Sequence, residues 1–169
     1  DCGDTWELVH PAPSNIRKVA AIGDHGFEVI FTVDGAKDTV EALAVDPADS
    51  RTLYAVMSAD DAQWLSVSRD WGKTWDKSSD LPVGSYKIWI DPNSPAADRT
   101  LLVASGNAVA VRKSGAWTHG APLKGVNRAN GFTVGFATDG SCVIYAASGP
   151  GWRGDEASVA GVFLSRDMG

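Results

Sequence analysis

The feature that most constrains this chain is that it repeats itself. Residues 44–56, AVDPADSRTLYAV, recur as WIDPNSPAADRTLLVA at 89–104. Asp46-Pro47 maps onto Asp91-Pro92, 45 residues on, and Arg51-Thr52-Leu53 maps onto Arg99-Thr100-Leu101, 48 residues on. A third copy, FATDGSCVIYAAS, sets Asp139-Gly140 where the Asp-Pro pairs stood. In each copy an apolar run ends in Asp plus a turn former and a second apolar run follows, which is the pattern of a β-hairpin. Period-2 alternation at Phe132, Val134, Phe136 and at Leu65, Val67 agrees. No stretch carries helical periodicity, so the chain is expected to be all-β and built from a repeated unit.

A second motif interleaves with the first. Ser68-Arg69-Asp70-Trp71-Gly72-Lys73-Thr74-Trp75 has the form S-x-D-x-G-x-T-W. Asp1, Gly3, Thr5 and Trp6 repeat its later positions, and Ser165, Asp167 and Gly169 its earlier ones. Such a turn suits its residues. Ser68 and Asp70 can accept from the turn's own amides, Gly72 can take a positive φ, Thr74 opens a strand, and Trp75 offers an apolar plate. These residues read as structural.

The motif resembles the Asp box (BNR repeat) of the sialidase superfamily, whose members include family 74 glycoside hydrolases, sortilin-type receptors and photosystem assembly factors. That resemblance implies a β-propeller of four-stranded blades. The chain then divides into the end of one blade (1–9), a crossover insertion (10–39), a blade at 40–79, a second at 85–119, and three strands of a further one at 131–169. The second blade lacks the box; Ser114-Gly115 makes a shorter turn and Trp117 replaces the motif Trp. Trp6, Trp75 and Trp117 are expected to be buried at equivalent places. About three blades cannot close a ring of four to eight. The remaining blades are therefore expected from the same or another chain, and the end blades should expose apolar surface meant for neighbours.

Alternating strand direction puts the box turn and the first hairpin turn of each blade on one face, and the second hairpin turn and the crossover on the other. In the glycosidases it resembles, function uses the face away from the box. Two long irregular segments fall there. One, at 11–39, carries Asp24, His25 and Glu28 between the apolar runs 19–22 and 29–33, which can pair as a hairpin. Asp24 and Glu28 are the candidate catalytic carboxylates, since glycoside hydrolysis needs an acid and a base or nucleophile, and His25 is placed to orient a sugar hydroxyl. The plainer alternative is a hairpin with solvated carboxylates. The other segment, at 150–160, gathers Trp152, Arg153, Asp155 and Glu156, suited to stacking a pyranose face and bonding its rim. The alternative there is a Trp packed on an adjacent blade beside an ion pair of little value. Asp60, Asp61 and Trp64 form a weaker version of the same set.

Composition limits the rest. Net charge is −6 with no basic run, which argues against nucleic acid. No run of about 18 apolar residues is present, so membrane insertion is not expected. No nucleophile-elbow, zincin or P-loop pattern occurs, and no metal or cofactor is expected. Cys2 and Cys142 leave a single disulfide or two separate thiols open. The resemblance implies a secreted or extracytoplasmic propeller, part of a glycoside hydrolase acting on a polysaccharide, with carbohydrate as ligand. The alternative is a non-catalytic propeller serving in protein binding, assembly or adhesion.

Overall fold

The computed structural model describes residues 16–23, 26–33, 38–149 and 159–167. They form thirteen strands and, among the described residues, no helix. Strands β1 (Ile16–Gly23) and β2 (Gly26–Val33) make a two-stranded ribbon. It is the pairing that the two apolar runs of the first insertion suggested. Three antiparallel sheets follow, each a meander in chain order. The first holds β3 (Thr39–Val45), β4 (Leu53–Ala59), β5 (Ala62–Ser68) and β6 (Asp76–Leu81). The second holds β7 (Ser85–Ile90), β8 (Leu101–Ser105), β9 (Ala108–Lys113) and β10 (Ala116–His119). The third holds β11 (Gly131–Phe136), β12 (Cys142–Ser148) and β13 (Gly161–Ser165).

Alternation along the strands dictates how the sheets stack. In β8, Leu101 and Val103 point one way and Leu102 and Ala104 the other, and all four are fully buried. The first pair joins Ile88 and Ile90 against Val56, Leu65 and Leu81 of the first sheet. The second pair joins Val109 and Val111 against Phe132, Ile144 and Ala146 of the third. The second sheet is therefore buried on both faces, and its strands read as continuous apolar runs for that reason.

Ladder register aligns the three sheets residue by residue. Leu53 faces Ser68 on one side and Val45 on the other. Leu101 faces Arg112 and Ile90 in the same way, and Ile144 faces Ser165 and Val134. Trp117 lies opposite Arg112, and Trp75 adjoins Asp76, which pairs with Val67, so the two tryptophans occupy matching positions. Both are half-buried, less than expected. Trp117 reaches over the edge of the first sheet, where its Nε1 donates to Ser79 Oγ at 2.9 Å. Trp75 lies on the face of the first sheet turned away from the second, and its Nε1 donates to the Gly72 carbonyl at 2.9 Å.

The third repeat departs by two rungs. Its ladder continues through Gly135↔Val143 and Phe136↔Cys142 before the turn, so Asp139 sits farther along than Asp46 and Asp91. The Asp does the same work in all three. Oδ1 accepts from Ala48 N–H (2.8 Å), Asn93 N–H (2.9 Å) and Ser141 N–H (2.9 Å), each two residues on. This is an Asx turn, the reason Asp favours such a place.

Candidate functional site

The motif turn is closed by its own side chains. Ser68 Oγ donates to Asp70 Oδ1 (2.8 Å) and accepts from Gly72 N–H (2.9 Å). Asp70 accepts from Thr74 N–H at 2.9 Å and from Thr74 Oγ1 at 2.6 Å. Those bonds, Thr74's first, stabilise the carboxylate and hold its pKa down at about 2. Gly72 has φ +83°, where a Cβ is strained. The start of the same arrangement recurs where Ser165 Oγ donates to Asp167 Oδ1 at 2.7 Å. In the second sheet the two-residue turn Ser114-Gly115, with φ of 51° and 76°, takes its place. Ser68 Oγ and both Asp70 carboxylate oxygens are thus engaged within the turn itself.

The two ends of the sheets are distinct. At the box end, Trp71 N–H donates to the Arg51 carbonyl in the β3–β4 loop (3.0 Å). The opposite end gathers the second hairpin turns and the crossovers. Gly106 N–H donates to the Gly84 carbonyl (3.3 Å) and Ser105 Oγ to the Val83 carbonyl (3.2 Å). Leu123 N–H donates to the Asn107 carbonyl (3.0 Å), Ala129 N–H to that of Gly106 (3.2 Å), and Asn107 Nδ2 to that of Val126. Val159 N–H donates to the Gly125 carbonyl (2.9 Å), which fixes one end of the 150–160 loop on the same face. Loops stitched to a rigid scaffold in this way are where binding residues are usually carried.

On that face the exposed polar side chains among the described residues include Asp60, Asp61, Lys124, Asn127, Arg128 and Asn130. Trp152, Arg153, Asp155 and Glu156 lie outside the described residues, as do Asp24 and His25, and Asp1, Gly3, Thr5, Trp6 and Gly169. Glu28 is placed by its backbone alone, opposite Ala21 in β2. Asp60 and Asp61 form the β4–β5 turn, but Trp64 is not grouped with them. It stands on the outer face of the first sheet, with Lys77 Nζ 5.2 Å from its ring centroid. A groove of about 390 Å³ runs there beside Asp38, Met57, Ser66, Lys73 and Trp75. Alternation alone would have set Trp64, Ser66, Lys77 and Trp75 on one face.

A buried ion pair, unread from the sequence, ties the first two sheets at the box end. Arg99 Nε and Nη2 donate to the two oxygens of Asp46, each at 2.7 Å, with the side chains 3% and 4% exposed. Arg99 Nη1 donates to the Ser94 carbonyl. The bonds from Arg99 lower the Asp46 pKa against the opposing effect of burial. At the other end Gln63 exchanges two bonds with the Ser85 backbone (2.7 and 3.0 Å). Cys142 is a free, buried thiol whose pKa burial raises. Among the described residues no cluster of three or more His, Cys, Asp or Glu could hold a metal, and no helix is long and apolar enough to cross a membrane. No protein-family model matches the chain, and no curated protein matches it either.

Proposed function

We propose that this chain is a stretch of an Asp-box β-propeller belonging to a secreted glycoside hydrolase, which binds a polysaccharide on the face opposite the box turns. The observation that carries this reading is the box turn itself. Ser68, Asp70, Gly72 and Thr74 close it by bonds among themselves, in a sheet stacked face to face with a second sheet of matching register. A repeat of that kind is a scaffold, and chemistry on such scaffolds sits in the loops at one end. Val159 is held at the stitched end by its bond to Gly125, and Trp152 and its charged neighbours, just before it in the sequence, are residue types that suit a sugar's apolar face and polar rim.

The test is reducing-end release by the intact protein from a panel of plant and microbial polysaccharides. Trp152→Ala should raise KM with the melting temperature within a degree or two, whereas Asp24→Asn and Glu28→Gln should lower kcat at unchanged KM. Normal hydrolysis by all three variants, or none by the parent on any polysaccharide, would overturn the reading.

A further inference from the structure

The seam between the first and second sheets carries a groove of its own at the outer rim. Strand β6 follows the box turn and β10 follows the Ser114-Gly115 turn, so both run toward the stitched end. Their last residues, Leu81 and His119, line a groove of about 390 Å³ together with Asp80, Pro82 and Trp117. Pro82 begins the crossover whose Val83 and Gly84 carbonyls accept from Ser105 and Gly106 at that end. The groove therefore opens on the rim of the stitched face, and both of its walls belong to this chain.

The groove pairs an apolar wall with polar margins. Ser79 and Leu81, two apart on β6, both turn toward the second sheet. Leu81 sits in the core between the sheets, 8% exposed, and Ser79 Oγ accepts from Trp117 Nε1 at 2.9 Å. Trp117 and His119 are also two apart on one strand, so the imidazole stands on the same side as the indole. Nε1 is the one polar atom of a Trp side chain, and here it is bonded to Ser79. What Trp117 brings to the groove is therefore ring carbon, continued by Leu81 and Pro82. His119 and Asp80 at the margin are both exposed. The Asp80 carboxylate meets Lys77 Nζ at 2.7 Å, so no single charge sign dominates. A pyranose fits such a surface, with C–H groups on its ring face and hydroxyls around its perimeter. The volume lies within the range of small-molecule sites, about 300–1,000 Å³.

We infer that this groove is a second sugar site, which seats a neutral pyranose unit with its face on Trp117 and a hydroxyl at His119. This rests on the polysaccharide reading above and extends it, because a chain lying across the stitched face reaches the rim where the groove opens.

Affinity electrophoresis of the intact protein through native gels containing β-glucan, arabinoxylan or glucomannan tests it. In the gel that retards the parent, Trp117→Ala and His119→Ala should each weaken apparent affinity by about two- to tenfold. Ser79→Ala breaks the indole's bond but leaves the ring, and should keep the parent's retardation. Circular dichroism checks that each variant is folded. His119 is exposed, so a His119→Ala variant that migrates like the parent overturns the inference even where Trp117→Ala fails to fold. Equal losses in Ser79→Ala and Trp117→Ala overturn it too, since the indole would then act only through the packing of the seam. A parent retarded by none of the gels removes the polysaccharide reading and the groove with it. A retarded parent with unaffected variants overturns the groove alone.

Discussion

Removing Arg99 should destabilise the fold more than any surface change, because the loss falls on a buried carboxylate. Arg99 gives Asp46 two bonds at 2.7 Å in a place where both side chains are almost wholly covered. In Arg99→Met the methionine fills part of the space, but Asp46 keeps only the backbone amides of Ala48 and Asp49 and no counter-charge. Breaking a buried pair from one side costs about 3–5 kcal/mol. At about 2–4 °C per kcal/mol for a chain of this size, the melting temperature should fall by roughly 6–20 °C. The effect carries a pH signature. In the parent, Asp46 has its pKa lowered from the ordinary 3.8. Its contribution is therefore complete above that value and is lost as pH falls through the lowered one. In Arg99→Met, burial without a partner raises the same pKa, so the variant gains stability relative to its unfolded state as pH drops from 7 to 4.5. The parent gains nothing from Asp46 over that range, and the gap between them should narrow. Asp46→Asn placed on Arg99→Met should recover part of the loss, since no unpaired charge then remains. Urea unfolding followed by tryptophan fluorescence, at one protein concentration throughout, measures all of these. A cost of Arg99→Met below about 1 kcal/mol, or a gap that does not change with pH, would refute the reasoning.

Thr74→Val should raise the Asp70 pKa from about 2 toward the ordinary carboxylate value, because the first of its stabilising bonds is gone; carboxyl carbon shifts in a pH titration report this directly. The stability Asp70 lends is present above pH 3.8 and fades as pH falls toward 2, so the variant should lose that contribution at a higher pH than the parent. Cys142, buried and with a raised pKa, should resist maleimide in the folded protein and label fully in denaturant, as peptide mass mapping at that residue would show.

What was legible in the sequence was whatever physics confines to one repeat. The hairpins around Asp46, Asp91 and Asp139 were readable because an Asp at the end of an apolar run has one favoured use, a bond to the amide two residues on. The hydrogen-bonded turn from Ser68 to Thr74 was readable for the same reason. Its Ser, Asp, Gly and Thr satisfy one another within a single turn, and no distant partner is needed to define it. The two-rung extension of the third ladder was not legible, because Asp139-Gly140 looks like the other turns however far the strands run before it.

The Asp46–Arg99 pair shows why interactions between repeats escape such a reading. Within its own repeat, Asp46 has Arg51 five residues on, at the position that aligns with Arg99. That Arg51 is instead held by Asp49 at 2.9 Å on the surface. The partner comes from the next repeat, and what equips it is a difference between the repeats. Eight residues separate Asp91 from Arg99 where five separate Asp46 from Arg51. The longer loop supplies Ser94, whose carbonyl accepts from Arg99 and whose hydroxyl accepts from Thr100 N–H at 3.1 Å. The change from 45 to 48 in the repeat spacing, which looks like drift in an alignment, is the extra chain that holds a guanidinium in place. Conserved spacing builds the sheets here, and the departure from it supplies the link between them.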